Sequence, residues 1–475
     1  MRGIEPSIDH GRDMMTGHLY LDRRVRDRMT EYLGGRTLSE ATAMYISRCD
    51  LGDRQQLESR SPSELGWYLE HELDVARSLW DRDALVAHLD LEYVNFDFPG
   101  EPYLDPRRTF AVQEPVEQAA RSVFVQHGLS PMHLLTGRGH HFVWRVPRRS
   151  EAFRELAALG RVGETLTERY ASRSRDGDET VDDETARAFS GLGLVMEHVA
   201  HHVQARAHPH AAIPVVVTAV EVGPQQRGRE AASVDVSEYG DPLDTRIVRI
   251  PFSIYRKPLE RRWLPQPESL PLLYTIPFVD RPVDVALDLR TDPRRVALLA
   301  SRTLGEIPDG PEGTSRLVRT YRSSRLARFH DHYHATAQEP PAGEEVSEGL
   351  RELPPCVLGF LDAPNDALMK PAVIRHVALS CAALGWHPRQ VSGVIRGRYE
   401  EDFGWRSYWD VYDAATRADF YTRLFSGLFF TGRDDLVDYN CVSTREKDLC
   451  FLPGDVCRLA PLRRKLFELR RRYHE

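Results

Sequence analysis

In Leu85-Val-Ala-His-Leu-Asp-Leu-Glu-Tyr93, apolar residues fall at every second position. Leu85, Ala87, Leu89, Leu91 and Tyr93 would share one face of a β-strand, and Asp90 and Glu92 would project side by side from the other. Two carboxylates held that close repel each other unless a cation lies between them. Oxygen ligands of this type suit a hard divalent ion, Mg²⁺ or Mn²⁺. Taken alone, D-x-E also fits an ordinary half-buried strand with a wet polar face. The rest of the chain has to supply the context.

Outward from this strand, Asn95-Phe-Asp-Phe-Pro-Gly100 reads as its closing turn. Pro115 to His127 has helical spacing of apolar residues. The stretch from Met132 to Pro147 holds two apolar runs around Thr136-Gly-Arg-Gly139, the pattern of a hairpin or tight glycine bend. Glycines allow close approach to a ligand, and Arg138, His140 and His141 add donors suited to phosphate. Glu151–Tyr170 and Ala186–Ala205 read as helices. His198, His201 and His202 lie in the second, without a cysteine or carboxylate that completes a zinc set. Ala212–Val222 reads as a strand. Asp235 stands between Val234 and Val236, ahead of an extended basic segment with Arg246, Arg249, Ser253 and Lys257.

The 475 residues are enough for two or three domains. Apolar content of 41% and charged content of 28% are those of a globular protein rather than a disordered one. No run of eighteen apolar residues occurs, and no secretory signal opens the chain, so no membrane association and a cytoplasmic location are expected. The net charge of −8 argues against an overall basic nucleic-acid binder, although the tail from Arg458 is locally basic. Residues 1–84 read as a helical region packed on the adjoining domain, with a capping pattern at Ser61-Pro-Ser-Glu64. Residues 336–352, rich in Glu, Pro and Gly, read as a linker between a domain at 85–335 and another at 353–475. All cysteines except Cys49 lie from Cys356 onward, and such a cluster in a cytosolic protein points to a metal or redox site.

Three elements then stand in order: Asp90-x-Glu92 on a strand, Gly137-Arg-Gly-His-His141 after a strand, and Asp235 before an Arg-rich segment. This order resembles the archaeo-eukaryotic primase superfamily, over roughly Leu85 to Pro258. The resemblance implies an α+β catalytic domain with a mixed or antiparallel sheet flanked by helices. It further implies a DNA-dependent primase or primase-polymerase, a nucleotidyltransferase acting on a single-stranded DNA template and NTP or dNTP. Helicases or other replication proteins would be its partners. Asp90, Glu92 and Asp235 would hold two Mg²⁺ or Mn²⁺ ions, and His141 and Arg138 would meet the triphosphate. Gly139 departs from the Ser of the primase-polymerases. Triphosphate contacts from Arg249 and Lys257 extend the resemblance. The alternatives are a non-catalytic nucleic-acid binder with a primase fold, and a repair or defence polymerase that only extends primers.

The C-terminal part runs from Leu353-Pro-Pro-Cys356 to Tyr439-Asn-Cys441, Cys450 and Cys457. It resembles the mainly helical iron–sulfur domain of the primase large subunit. Cys356, Cys441, Cys450 and Cys457 would then bind a [4Fe–4S] cluster. A structural Zn²⁺ is the alternative, although the usual C-x₂-C knuckle is absent. Cys381 falls in an apolar helical pattern and reads as a buried small side chain. Lys370, Arg375 and His376 fall where that family grips the 5′ end of the primer.

Overall fold

The computed structural model describes residues 19–49, 58–173, 179–218, 229–258, 270–279, 281–341, 351–405, 409–451, 457 and 459–474. From the N-terminus, helix α1 (Arg23–Tyr32) leads to strands β1 (Ile46–Arg48) and β2 (Ser59–Arg60), helix α2 (Leu65–Glu70) and strand β3 (Val75–Ser78). The all-helical expectation for this region is corrected, because three of these elements are strands. Ser61 does cap a helical turn with Pro62 in its first position, and α2 comes next. That helix stops at Glu70, and Glu72 takes a left-handed φ of 52°. Val75–Ser78 then pairs with β1 and with a strand far along the chain. Arg77 is fully buried here and is neutralised by Asp81 at 2.5 Å.

Strand β4 (Ala84–Asn95) is the predicted strand, one residue longer at its start and two at its end. Helix α3 (Pro106–Gln126) begins nine residues before Pro115 and carries that proline inside it. Strands β5 (Met132–Leu135) and β6 (Gly139–Pro147) form the expected hairpin, with Thr136 N–H donating to Gly139 O at 2.9 Å. The span expected as one helix from Glu151 to Tyr170 is two, α4 (Glu151–Leu159) and α5 (Glu164–Ser172), parted at Gly160–Gly163. Helix α6 (Asp183–Ala207) comes after them, capped by the Asp182 carboxylate. Of the expected Ala212–Val222 strand, β7 (Val215–Val217) forms, while 219–222 lie outside the described residues. Then come β8 (Glu230–Asp235), β9 (Ile247–Arg249), β10 (Ile254–Tyr255), β11 (Leu273–Tyr274) and β12 (Ile276–Pro277).

The main sheet has the order β12-β5-β6-β4-β8-β7. Its neighbours are antiparallel except β7 and β8, so the sheet is mixed. Strand β4 is central and buried on both sides except at Asp90, Glu92 and Asn95, which are half-buried. A second, antiparallel sheet has the order β2-β1-β3-β9. The fold is therefore α+β.

The C-terminal half is helical: α7 (Pro311–Arg322), α8 (Arg325–His334), α9 (Pro355–Asp362), α10 (Pro371–Ala383), α11 (Pro388–Glu400), α12 (Ala414–Phe430), α13 (Cys441–Glu446) and α14 (Leu459–His474). Much of the expected linker, 342–350, lies outside the described residues. The apolar core is nevertheless continuous from Leu19 to Leu428. Two buried ion pairs reinforce the join. Arg423 Nε donates to Glu197 Oε1 at 3.0 Å, and Arg417 Nη1 to Asp241 Oδ1 at 3.0 Å. Helix α12 thus docks on α6 and on the turn beyond β8. No helix among the described residues is long and apolar enough to cross a membrane.

Candidate active site and cysteine cluster

The ladder of the main sheet fixes the carboxylates. Asp90 faces His141 of β6 on one side and Asp235 of β8 on the other. Directly opposed residues in antiparallel strands point to the same face. His141, Asp90 and Asp235 therefore stand in one row across three strands. Glu92 lies one row on, opposite Gly139 and Ser233. A Cβ on Gly139 would overlap the Leu91 carbonyl oxygen, and one on Gly137 would overlap the Tyr255 ring. The glycines thus let the hairpin close tightly on β4 and let Arg138 reach Glu92, to which its Nη2 donates.

The charges are arranged unevenly. Arg138, then Lys257, hold the Glu92 carboxyl down at about 2 against its burial. Asp90 shifts the other way: burial and the Glu92 charge push it well above the usual carboxylate range. Burial, then Glu92, Glu238 and Asp90, push Asp235 up to about 7. His141 is held well below its ordinary value by burial, then by His88 and Arg249, so it is a neutral imidazole. Its Nε2 lies 3.4 Å from Asp90 Oδ1, outside hydrogen-bond geometry. Asp90 Oδ1, His141 Nδ1, His88 Nε2 and Ser233 Oγ are among the buried atoms of this site without a hydrogen-bond partner.

Two neighbours escape a reading of the sequence motifs. His88 sits two residues before Asp90 on the same strand face, with its ring 4.5 Å from that of His141. Its Nδ1 is 2.6 Å from Glu238 Oε1, three residues after Asp235. Burial lowers the His88 pKa, but the charge and hydrogen bond of Glu238, with Asp90 and Asp235, together outweigh it and raise the value. The Tyr239 hydroxyl clasps the His88 backbone, donating to its O at 2.7 Å and accepting from its N–H at 3.0 Å. The period of two that exposes Asp90 and Glu92 also contains His88, and that is the available signal.

Arg249 is drawn elsewhere. Its Nε and Nη2 donate to Asp74 at 3.1 and 3.0 Å, and its guanidinium lies 4.2 Å from the Tyr255 ring centroid. The residue expected to meet the triphosphate is thus engaged in an ion pair with Asp74, near His141. Lys257 remains beside Glu92.

The cysteines fall into two groups. Burial raises the Cys356 thiol, and Cys457, Cys450 and Cys441 raise it further, so the four approach one another. Cys441 Sγ and Cys457 Sγ are 3.4 Å apart, and Cys441 is pushed up to about 11. Cys381 is buried in α10 and is raised to about 12 by burial alone. Four soft thiolates form a donor set that fits iron–sulfur or zinc chemistry. Among the described residues, no group of three or more His, Cys, Asp or Glu side chains is disposed, as it stands, to hold a metal ion. The orphaned oxygen of Asp90 and the crowded carboxylates fit a cation in chemistry, and the thiols do so likewise.

Two of the residues expected at the primer end are placed otherwise. Arg375 forms a two-pronged pair with Asp434, at 2.8 and 2.7 Å. His376 is buried, with Nε2 3.1 Å from Cys356 Sγ. Burial, then Lys447 and Arg375, lower its pKa to about 3. Lys370 is exposed at the start of α10. Of the three, Lys370 is exposed, Arg375 is half-buried in its pair with Asp434, and His376 is buried.

No family model, curated protein or solved structure matches the chain.

Proposed function

We propose that the chain is a DNA-dependent primase or primase-polymerase. The observation that supports this most is the row His141–Asp90–Asp235 across three strands, with Glu92 beside it and Arg138 and Lys257 around it. Three carboxylates crowd one face of the sheet here, and a divalent cation between them would relieve their repulsion. Asp90, Glu92 and Asp235 would hold two Mg²⁺ or Mn²⁺ ions, which steady the attacking and leaving oxygens of a displacement at the α-phosphate. The chain's own residues do the positioning. Arg138 fixes Glu92. Lys257 and the neutral His141, a hydrogen-bond donor, face the triphosphate. Asp90 and Asp235 must give up their protons before they can ligate, so the affinity of the metal-free chain for Mg²⁺ or Mn²⁺ should rise with pH up to about 7. The cysteine cluster, carrying [4Fe–4S] or zinc, would help to start strands.

The test is the purified chain with unprimed single-stranded DNA, Mg²⁺ or Mn²⁺ and labelled nucleotides. New labelled oligonucleotides, absent with Asp90→Ala, are expected. Products on primed template alone would overturn priming and leave nucleotide transfer standing. No product on either template from folded protein would overturn both.

A further inference from the structure

We infer that His376 belongs to the cysteine site, donating its Nε2–H to the Cys356 sulfur and so holding that ligand in place. The inference rests on reading the four cysteines as a metal site. Helix α10 carries His376 in its second turn, beneath the surface. An apolar side chain would fill this interior position as well as an imidazole does. Here, however, Nε2 lies 3.1 Å from Cys356 Sγ. On its other side the ring packs 5.0 Å from that of Tyr439. The Tyr439 hydroxyl is 2.6 Å from Ser380 Oγ, which donates to His376 O at 2.8 Å. Tyr439 adjoins Asn440, whose side chain caps α13 at Cys441. The imidazole is therefore wedged between the segment bearing Cys356 and the one bearing Cys441.

A ligating thiolate is a hydrogen-bond acceptor, and a fixed N–H donor orients it and spreads its charge. Four thiolates already complete a cluster or a tetrahedral zinc set. A fifth ligand is not needed, whereas an orienting partner is. His376 is in this sense a positioning residue.

The experiment uses the whole chain, purified anaerobically and reconstituted with iron and sulfide or with zinc. Metal content is measured by elemental analysis and metal release is timed with a chelator. His376→Phe keeps the ring and removes the donor, while His376→Gln keeps an N–H near the position of Nε2. All three proteins should hold the same metal count per chain. His376→Phe should release it roughly tenfold faster, the scale of losing one outer-shell partner, and His376→Gln should recover much of the difference. If the metal is iron, the midpoint potential of the Phe variant should move negative, because the reduced cluster loses a donor. Should the Phe variant not fold, His376→Met against His376→Gln makes the same comparison. Equal release by wild type and the donorless variant overturns the inference. Loss of metal stoichiometry in both variants makes the imidazole a ligand and overturns the donor role. A wild-type chain that takes up neither metal overturns the metal reading itself, and the inference with it.

Discussion

The carboxylate site and the cysteine site gather charge in opposite ways. Asp90, Glu92 and Asp235 lie on two adjacent strands whose backbone ladder sets their spacing residue by residue. The cysteines come from the start of α9, the start of α13 and the segments beyond it. Among the described residues, no ladder joins those segments. In the first site the fold holds like charges together and the protons absorb the strain, with Asp235 raised to about 7. In the second, side-chain contacts such as Cys356–His376 and Ser380–Tyr439 join distant segments. A site built on a sheet is organised before its ion arrives. A site built across helices gains more of its order from what it binds.

The sharpest way to break this contrast is to remove one carboxylate. Asp90→Ala should abolish nucleotide transfer below detection, since Asp90 is the central oxygen donor between His141 and Asp235. The ladder does not depend on the side chain, so the folded state should persist, with near-native circular dichroism and thermal midpoint. Transfer retained by a folded Asp90→Ala, Asp235→Ala double variant would remove the catalytic assignment. By contrast, Cys457→Ala should cost metal and also loosen the helices around α14.

The next effect tests whether the two halves unfold as one. Arg423 and Glu197 are both buried, and Glu197 also meets His330 Nε2 at 3.1 Å. Removing one partner of a buried pair leaves a charge uncompensated, which costs about 3–5 kcal/mol. Arg423→Ala should therefore lower the urea midpoint of the whole chain in a single transition. A variant in which only the C-terminal helices melt early would show that the continuous core does not make the halves cooperative.

A smaller effect comes from the protons. Asp235 shifts from 3.8 to about 7 on folding. Between those values the folded chain keeps a proton that the unfolded chain releases, so the slope of stability with pH is negative. Metal-free protein should lose stability as pH rises from about 4 to about 7 and then level off. Asp235→Asn should flatten that part of the profile. Parallel wild-type and Asp235→Asn profiles in chelator would show that the carboxylate crowding is relieved some other way.

The central strand is legible in the sequence because alternation is a local signal, and β4 lies where Leu85–Tyr93 places it. The glycine hairpin is legible because apolar runs flank Thr136-Gly-Arg-Gly139. What the sequence does not show is set by distant partners. Val75–Ser78 continues the apolar spacing of Leu65–Glu70, and only its pairing with Ile46–Arg48 and Ile247–Arg249 makes it a strand. The pairing of Arg249 with Asp74 is hidden because Asp74 lies far back in the chain. A loop composition at 336–352 suggests separate units, while Arg417–Asp241 and Arg423–Glu197, invisible to any local window, join the flanking cores. The resemblance to the primase large subunit suggests a primer contact for His376, and its burial against Cys356 is not visible in the sequence. His88 is the one miss that the local pattern contains.

The smallest effect separates a cysteine that is merely buried from cysteines that are gathered. Cys381 is as deeply enclosed as Cys356, yet burial alone raises its thiol, with no push from another cysteine. It packs within α10, and its carbonyl accepts from the N–H groups of Leu384 and Trp386, contacts that any side chain would allow. Cys381→Ala removes one sulfur from a packed interior. The expected cost is about 1 kcal/mol, the lost transfer energy plus a small void. Metal content, chelator release and nucleotide transfer should all stay at wild-type levels. The thermal midpoint should fall by a few degrees at most, roughly what such a loss gives in a chain of this size. A Cys381→Ala protein that loses metal would place this thiol in the cluster, and the division of the cysteines into gathered and buried would have to be redrawn.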